Sequence, residues 1–327
     1  MNILLSRYCN RRCSFCFAQK RLGKQAAAGG ETFMSRENIR KIMETLKRSG
    51  DMVLKLLGGE PTLHPEFVDI VKEAVDGGFS VHVFTNGMMP AATADFLAGL
   101  PEDRVSLLCN VSPQANDTPR QKEMVAYTLQ KLNTRAKLGI TITGFDDNFD
   151  YVIETIDRYK LLRRVRVGIA QPIVGQGNAY LDPSQYREAG KYIVSLAEKF
   201  YQHNILIGFD CGMTLCMFDE AEIGRLFSIS EGLRMLCSPI IDIGPEMDIW
   251  HCFPLSEVMV ARLEKFGSRN EMVAFYHKHT KPYRSIGCKP ECLQCRFFRT
   301  KQCSGGCLAH AMNSLSQKPP AKIGQGS

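Results

Sequence analysis

The chain has 327 residues, 44% of them hydrophobic and 23% charged, a composition that builds a full core and suits neither a disordered nor a fibrous protein. Forty-one Lys and Arg against 34 Asp and Glu give a net charge of +7, scattered without the basic face that nucleic acid demands. No run reaches the ~18 apolar residues of a membrane span, and Arg7 interrupts the N-terminus too early for a secretory signal. Neither a nucleic-acid nor a membrane partner is expected. The length suits about two domains. Thirteen cysteines, odd in number and too sparse for a disulfide scaffold, suit a cytoplasmic protein whose thiols bind metal or catalyse.

In chain order, short apolar strands alternate with amphipathic helices. Strands are expected over residues 3–6, 52–57, 79–84, 104–110, 139–143 and 164–170. The helix over 35–49 has Ser35 as N-cap and Ile39, Ile42, Met43 and Leu46 on one face. Further helices are expected over 65–76, 90–100, 120–137, 149–159 and 183–203. Apolar strands separated by helices imply a parallel sheet with right-handed crossovers, and six such units make a barrel or part of one. Residues 20–30 read as a flexible loop. The run Arg163-Arg164-Val165-Arg166 reads as a solvated strand entrance. Beyond residue 205 the rhythm changes. A hairpin turning at Gly244-Pro245 is expected over 238–252, short helices over 256–266 and 271–279, and a disordered tail over 317–327. His277 and His279 read as a solvated face.

Directly after the first strand stands Cys9-Asn-Arg-Arg-Cys13-Ser-Phe-Cys16. This C-x3-C-x2-C loop presents three soft thiolates to one centre, as zinc or an iron–sulfur cluster requires. Structural zinc closes with four ligands, yet the next cysteine or histidine is His64. Three ligands leave one metal corner open for chemistry. Two turns accompany the triplet: Gly58-Gly59-Glu60-Pro61 after the second strand and Thr85-Asn86-Gly87 after the third.

The triplet, with Phe15 before its last cysteine, and the two turns resemble the radical S-adenosylmethionine (SAM) superfamily. The resemblance implies an α/β fold: a partial (β/α)6 TIM-type barrel over 1–205, with a [4Fe–4S] cluster on Cys9, Cys13 and Cys16 at the C-terminal mouth of the strands. SAM would bind the open iron and lie against Phe15, Gly58, Gly59, Glu60, Pro61 and Asn86. Asn110 and Ser112 would face its ribose, and Thr141, Thr143 and Gln171 would line the cleft. One electron would cleave SAM to a 5′-deoxyadenosyl radical that abstracts a substrate hydrogen. No catalytic acid or base is singled out; Asp210 and the Asp146-Asp147 pair are candidates without fixed geometry.

The C-terminal cysteines run Cys292-x2-Cys295-x7-Cys303-x3-Cys307, with Cys288 just ahead, Cys237 and Cys252 spanning the hairpin, and Cys211-x4-Cys216 before it. They resemble the SPASM/Twitch extension of the same superfamily. That implies a small cysteine-rich domain with a β-hairpin over 206–312, a disordered tail over 313–327, and one or two auxiliary [4Fe–4S] clusters. Cys237, Cys252, Cys307 and either Cys211 or Cys216 would hold the first; Cys292, Cys295, Cys303 and Cys288 would hold the second. The seven-residue middle gap and the lack of a cysteine after Cys307 depart from the family pattern and leave the cluster number open. Cys109 reads as a buried small hydrophobe and Trp250 as hairpin packing. His251 and His310 are candidate neighbours or ligands of the clusters.

As many SPASM-bearing relatives do, such an enzyme would modify a peptide or protein side chain, with a flavodoxin or ferredoxin as electron donor. Only eight residues precede Cys9, expected to leave no room for a fused peptide-recognition domain. The alternatives are a radical dehydrogenase or mutase of a small metabolite, and a non-catalytic iron–sulfur or zinc protein.

Overall fold

The computed structural model describes residues 1–23, 31–112, 117–175 and 177–316. Six strands with apolar, alternating burial follow the expected order: β1 (Asn2–Ser6), β2 (Val53–Gly58), β3 (Ser80–Thr85), β4 (Val105–Asn110), β5 (Ala136–Ile142) and β6 (Arg164–Ile169). A seventh, β7 (Leu206–Phe209), continues the series. These seven pair in parallel in sequence order, which is the partial barrel expected. Between them run α1 (Gln19–Gly23), α2 (Arg36–Arg48), α3 (Phe67–Asp76), α4 (Ala91–Gly99), α5 (Pro119–Leu132), α6 (Asp150–Tyr159) and α7 (Tyr186–Gln202). Ser35 caps α2, its hydroxyl accepting from Asn38 N.

The core lies between strands and helices. Ile3 and Leu5, Leu54 and Leu56, and Leu138 and Ile140 belong to it, so the residues between them turn to the barrel interior. Cys109 is fully buried in this core, as its surroundings in the sequence suggested. Arg166 differs from expectation. Arg163 and Arg164 are exposed, as a solvated strand entrance has it, but Arg166, half-buried, leans inward, its guanidinium 5.8 Å from the Phe84 ring centroid and paired with Asp210. The helix expected over 120–137 stops at Leu132, because Asn133 takes a positive φ of 27° and Ala136 already pairs with Leu107 on β4.

The hairpin forms, with a role the sequence did not reveal. Strands β8 (Asp242–Ile243) and β9 (Asp248–Trp250) are antiparallel, and β8 joins the free side of β1 in parallel. The short strand β10 (Ala261–Arg262) completes the sheet beside β9. Residues 256–266 therefore do not make the expected helix; the β9 pairing and the bond from Leu263 N to Met247 O hold them extended, with one 3-10 turn. Among the described residues β7 and β10 are the two edges of a single ten-stranded sheet.

The remaining helices are α8 (Glu220–Ile229), α9 (Arg269–Arg284), α10 (Arg296–Arg299) and α11 (Leu308–Ser316). His277 and His279 are exposed on α9, as read from the sequence. Residues 313–316 belong to α11. The expected tail over 317–327 and residues 24–30 of the expected loop lie outside the described residues. No described helix is long and apolar enough to cross a membrane.

Two positions make the fold testable. Helix α7 approaches the turn that carries Cys216 so closely that a Cβ on Gly190 would sit 1.8 Å from Met217 O. Ala favours a helix by about 1 kcal/mol, but overpacking against backbone outweighs that. Gly190→Ala should lower stability by about 3 kcal/mol, read from urea unfolding; an unchanged midpoint would contradict this packing. Asp242 is fully buried and accepts from Asn2 Nδ2 at 2.9 Å. Burial lifts its carboxyl from 3.8 to about 7, so the folded state binds this proton more tightly than the unfolded chain. Its contribution is complete below about 3.8 and is lost as pH rises toward 7. The thermal midpoint of Asp242→Asn relative to the parent should therefore rise across that window, and a pH-independent difference would refute it.

Candidate functional site

The cysteine loop leaves the end of β1 and is gripped from several sides. From β2, Gly59 N donates to Ser6 O at 2.7 Å and Glu60 N to Tyr8 O at 2.8 Å. The approach admits no side chain, for a Cβ on Gly59 would lie 2.3 Å from Tyr8 O and 2.7 Å from Cys9 Cβ. Behind it the fully buried Glu60 carboxylate accepts from Thr62 N and Oγ1, Thr85 Oγ1 and Asn86 N, tying the ends of β2 and β3 together. Pro61, also buried, starts the 3-10 turn that follows. Asn86 then reaches back, its Nδ2 donating to Asn10 Oδ1 at 2.8 Å.

The other flank is held by residues that no motif marked. Asn178 Nδ2 donates to Phe15 O and to Gln171 O, and Ala179 N to Ser14 O. Arg11 forms an ion pair with Asp117, both side chains about nine-tenths buried, and Gln121 Nε2 donates to Asn10 O. Removing one partner of so buried a pair costs about 3–5 kcal/mol, so this contact fixes the loop rather than decorating it. Below, Leu4, Ala18, Trp250 and Phe253 form a small apolar cluster that Cys16 joins. Arg21 lies 4.1 Å from the Trp250 ring centroid and pairs with Asp248, so the hairpin underpins the loop.

Cys9, Cys13 and Cys16 interact electrostatically with one another. Burial pushes the first two thiols up to about 11 and raises the third; Arg11 draws Cys13 partly back. Deprotonated thiols here need a cation. Of the expected SAM-side residues, Asn86 touches the loop, and Arg11 Nη1 donates to Asn110 O at 3.4 Å. Thr141 N donates to Ser112 Oγ at 3.0 Å. Gln171 is 7% exposed, its side-chain amide lying beside the buried Tyr186 and against Gly212. A side-chain amide can make four hydrogen bonds, so one shared with Tyr186 keeps capacity for a ligand at the mouth of the barrel. Thr143 is exposed and meets none of these groups.

The C-terminal cysteines separate into two groups. Cys211, Cys237, Cys252 and Cys307 act on one another, and burial raises all four thiols. Cys216 joins the others: with Cys292, Cys295 and Cys303 it lines a cavity of about 270 Å³. Cys288 hydrogen-bonds Cys292 there, which draws the Cys292 thiol down to about 6 and pushes its own up. Gly305 N points at Cys303 Sγ from 3.3 Å, a backbone donor of the kind that tunes cluster sulfur. Among the described residues no three donors converge as one metal ion requires. Thiols spread around a hollow suit a cluster of several metal atoms better than zinc. His251 Nε2 faces Arg284 Nη2 at 2.9 Å and His310 Nε2 faces Tyr186 Oη at 3.1 Å. Trp250 is fully buried against the hairpin, as expected.

Residues 3–167 match the family described as the Radical SAM superfamily. The chain belongs to the radical SAM superfamily. Enzymes of this superfamily use a [4Fe–4S] cluster and SAM. The chain is 28% identical over 129 residues to a probable GTP 3′,8-cyclase of Pyrococcus horikoshii, covering 39% of this chain and 38% of that protein. With an S-adenosylmethionine-dependent nucleotide dehydratase of Selenomonas ruminantium it shares 28% over 185 residues, 50% of this chain and 65% of that one. It thus spans less than two thirds of either relative. The fold is that of Streptococcus suis SuiB bound to S-adenosylmethionine (TM-score 0.67, 18% identity, 98% of this chain and 74% of that one). It is also that of anSMEcpe with bound AdoMet (TM-score 0.66, 17% identity, 94% and 88%).

Gly59→Ala, by displacing Tyr8 and Cys9, should lower iron by about four atoms per chain after anaerobic reconstitution. Full iron content in that variant would show that the close approach does not shape the cluster site.

Proposed function

We propose that this radical SAM enzyme abstracts a hydrogen from a peptide or protein side chain, as a maturase-type oxidoreductase of the cytoplasm. The observation that carries this reading is the pair of C-terminal thiol groups. It is supported by a fold shared over most of the chain with SuiB, also solved with precursor peptide SuiA, and with anSMEcpe, solved with a peptide.

Cys9, Cys13 and Cys16 would hold the SAM-binding cluster, which when bound supplies the electron that cleaves SAM to a 5′-deoxyadenosyl radical. The chain's own part is placement. Gly59 and Glu60 fix the loop through their backbone donors, and Phe15, Gly58, Pro61 and Asn86 wall the cofactor side. Asn110, Ser112 and Thr141 line the cleft, and Gln171 offers the remaining capacity of its amide to the ligand. Cys211, Cys237, Cys252 and Cys307 would hold a first auxiliary cluster; Cys216, Cys288, Cys292, Cys295 and Cys303 supply the thiols for a second. Cys211 rather than Cys216 would serve the first cluster, a reading supported by the nearness of Cys211 to Cys237 and Cys307 and by the place of Cys216 in the cavity of Cys292, Cys295 and Cys303. A flavodoxin or ferredoxin suits the role of electron donor.

The reconstituted enzyme should carry about twelve iron atoms per chain and release 5′-deoxyadenosine from SAM when reduced, and Cys13→Ala should abolish that release. Peptides encoded beside the gene, incubated with the reduced enzyme and SAM, should change in mass. Deoxyadenosine release with every such peptide unchanged, while a nucleotide is converted, would replace this reading by a small-metabolite enzyme.

A further inference from the structure

Small barrels fill their interior with layers of branched apolar side chains. Here the inward positions of the strands carry Lys55 on β2, His82 on β3, Lys137 on β5 and Arg166 on β6. They share one neighbourhood. Burial first, then Lys55, Arg166 and Lys137, hold the His82 ring down at about 4, so it stays neutral beside three cations. Asn110, Gly139, Arg166 and Gly208 form one row across four adjacent strands, and the two glycines let polar side chains lie against the strands, Asn110 Oδ1 over Gly139 and the Glu231 carboxylate over Gly208. A cavity of about 270 Å³ opens beside this row, lined by Lys137, Arg166, Phe209, Glu231 and Arg234.

The local carboxylates do not balance these cations. Asp210 is taken by Arg166 and also accepts from Cys211 N at 2.8 Å. Glu231 is shared by Lys137 at 2.9 Å and Arg164 at 3.4 Å. Lys55 and Arg234 have no ion pair among the described residues. An anion entering this chamber would meet a guanidinium already oriented by Asp210, whose remaining donors suit two oxygens at once.

We propose that the chamber seats an oxyanion of the substrate, a carboxylate or a phosphate, between Arg166, Lys137 and Arg234. The inference rests on the radical SAM reading, because Asn110, in the same row, is a residue that reading puts beside the cofactor. The anion would then anchor one end of the substrate in the lumen, next to Cys211, while its reacting end lies at the mouth. Both an acidic peptide and a phosphate-bearing metabolite carry the required group.

Calorimetric titration of the reconstituted full-length enzyme at low salt with sodium pyrophosphate and with triglutamate tests this. At least one probe should bind saturably, and the preferred one names the source of the anion. Arg234→Gln, at an exposed residue without an ion pair, should weaken that binding, and Lys137→Gln with Arg234→Gln by about tenfold or more. Lys72→Gln, which removes the same charge from α3, should leave it unchanged. If neither probe binds at millimolar concentration, or if Lys72→Gln weakens binding as much as Arg234→Gln, the chamber is not an anion site. Deoxyadenosine release by the same preparation reports the radical chemistry separately. An enzyme that cleaves SAM and ignores both probes overturns the chamber alone.

Discussion

The site depends on two backbone hydrogen bonds, from Gly59 N to Ser6 O and from Glu60 N to Tyr8 O. They draw the β2 turn against the loop that carries Cys9, at a separation where even one methyl group would overlap backbone. Neighbouring contacts extend this grip. Glu60 binds the β3 turn to the β2 turn, Asn86 binds that turn to Asn10, and Asn178 closes the opposite flank. A loop of eight residues with little secondary structure is thereby held as firmly as a strand.

Electrostatics sharpens the same point. Each thiol of the triplet is raised by burial, so the empty loop favours neutral cysteines. Binding a positive core to them releases protons and makes loading pH-dependent. Among the described residues Arg11 is the cation that favours the Cys13 thiolate, and it is committed to Asp117. The thiols therefore rely on the metal core itself for most of their charge compensation.

Much of this was legible in the sequence because it is local. Strand and helix periods mark the six βα units, and C-x3-C-x2-C, the glycine turn and Thr85-Asn86-Gly87 mark the cofactor end. What escaped depends on partners far along the chain. Asn178 lies in no motif, and only the folded loop brings it to Phe15. Arg166 sits in a run that looks like solvated charge, yet the strand's alternation turns it inward against Phe84 and Asp210. Spacing alone did not sort Cys211 from Cys216: Cys211 lies beside Cys237 and Cys307, whereas Cys216, in the turn pressed on Gly190, faces the cavity lined by Cys292 and Cys303. The hairpin was visible, but its attachment to β1 was not, since no local signal specifies a parallel partner.

That attachment sets the order in which the molecule can be completed. Asn2 on β1 meets Asp242 across a separation of 240 positions in the chain, and Arg21 meets the similarly distant hairpin residues Trp250 and Asp248. Contacts of such long range form late, after their loop-closure entropy has been overcome. Until the hairpin docks on β1, the loop that carries the triplet lacks the apolar floor that Trp250 and Phe253 supply. The firmness of the cysteine loop is thus coupled to closure of the sheet from β10 to β7 and not to the loop's own neighbours in the sequence.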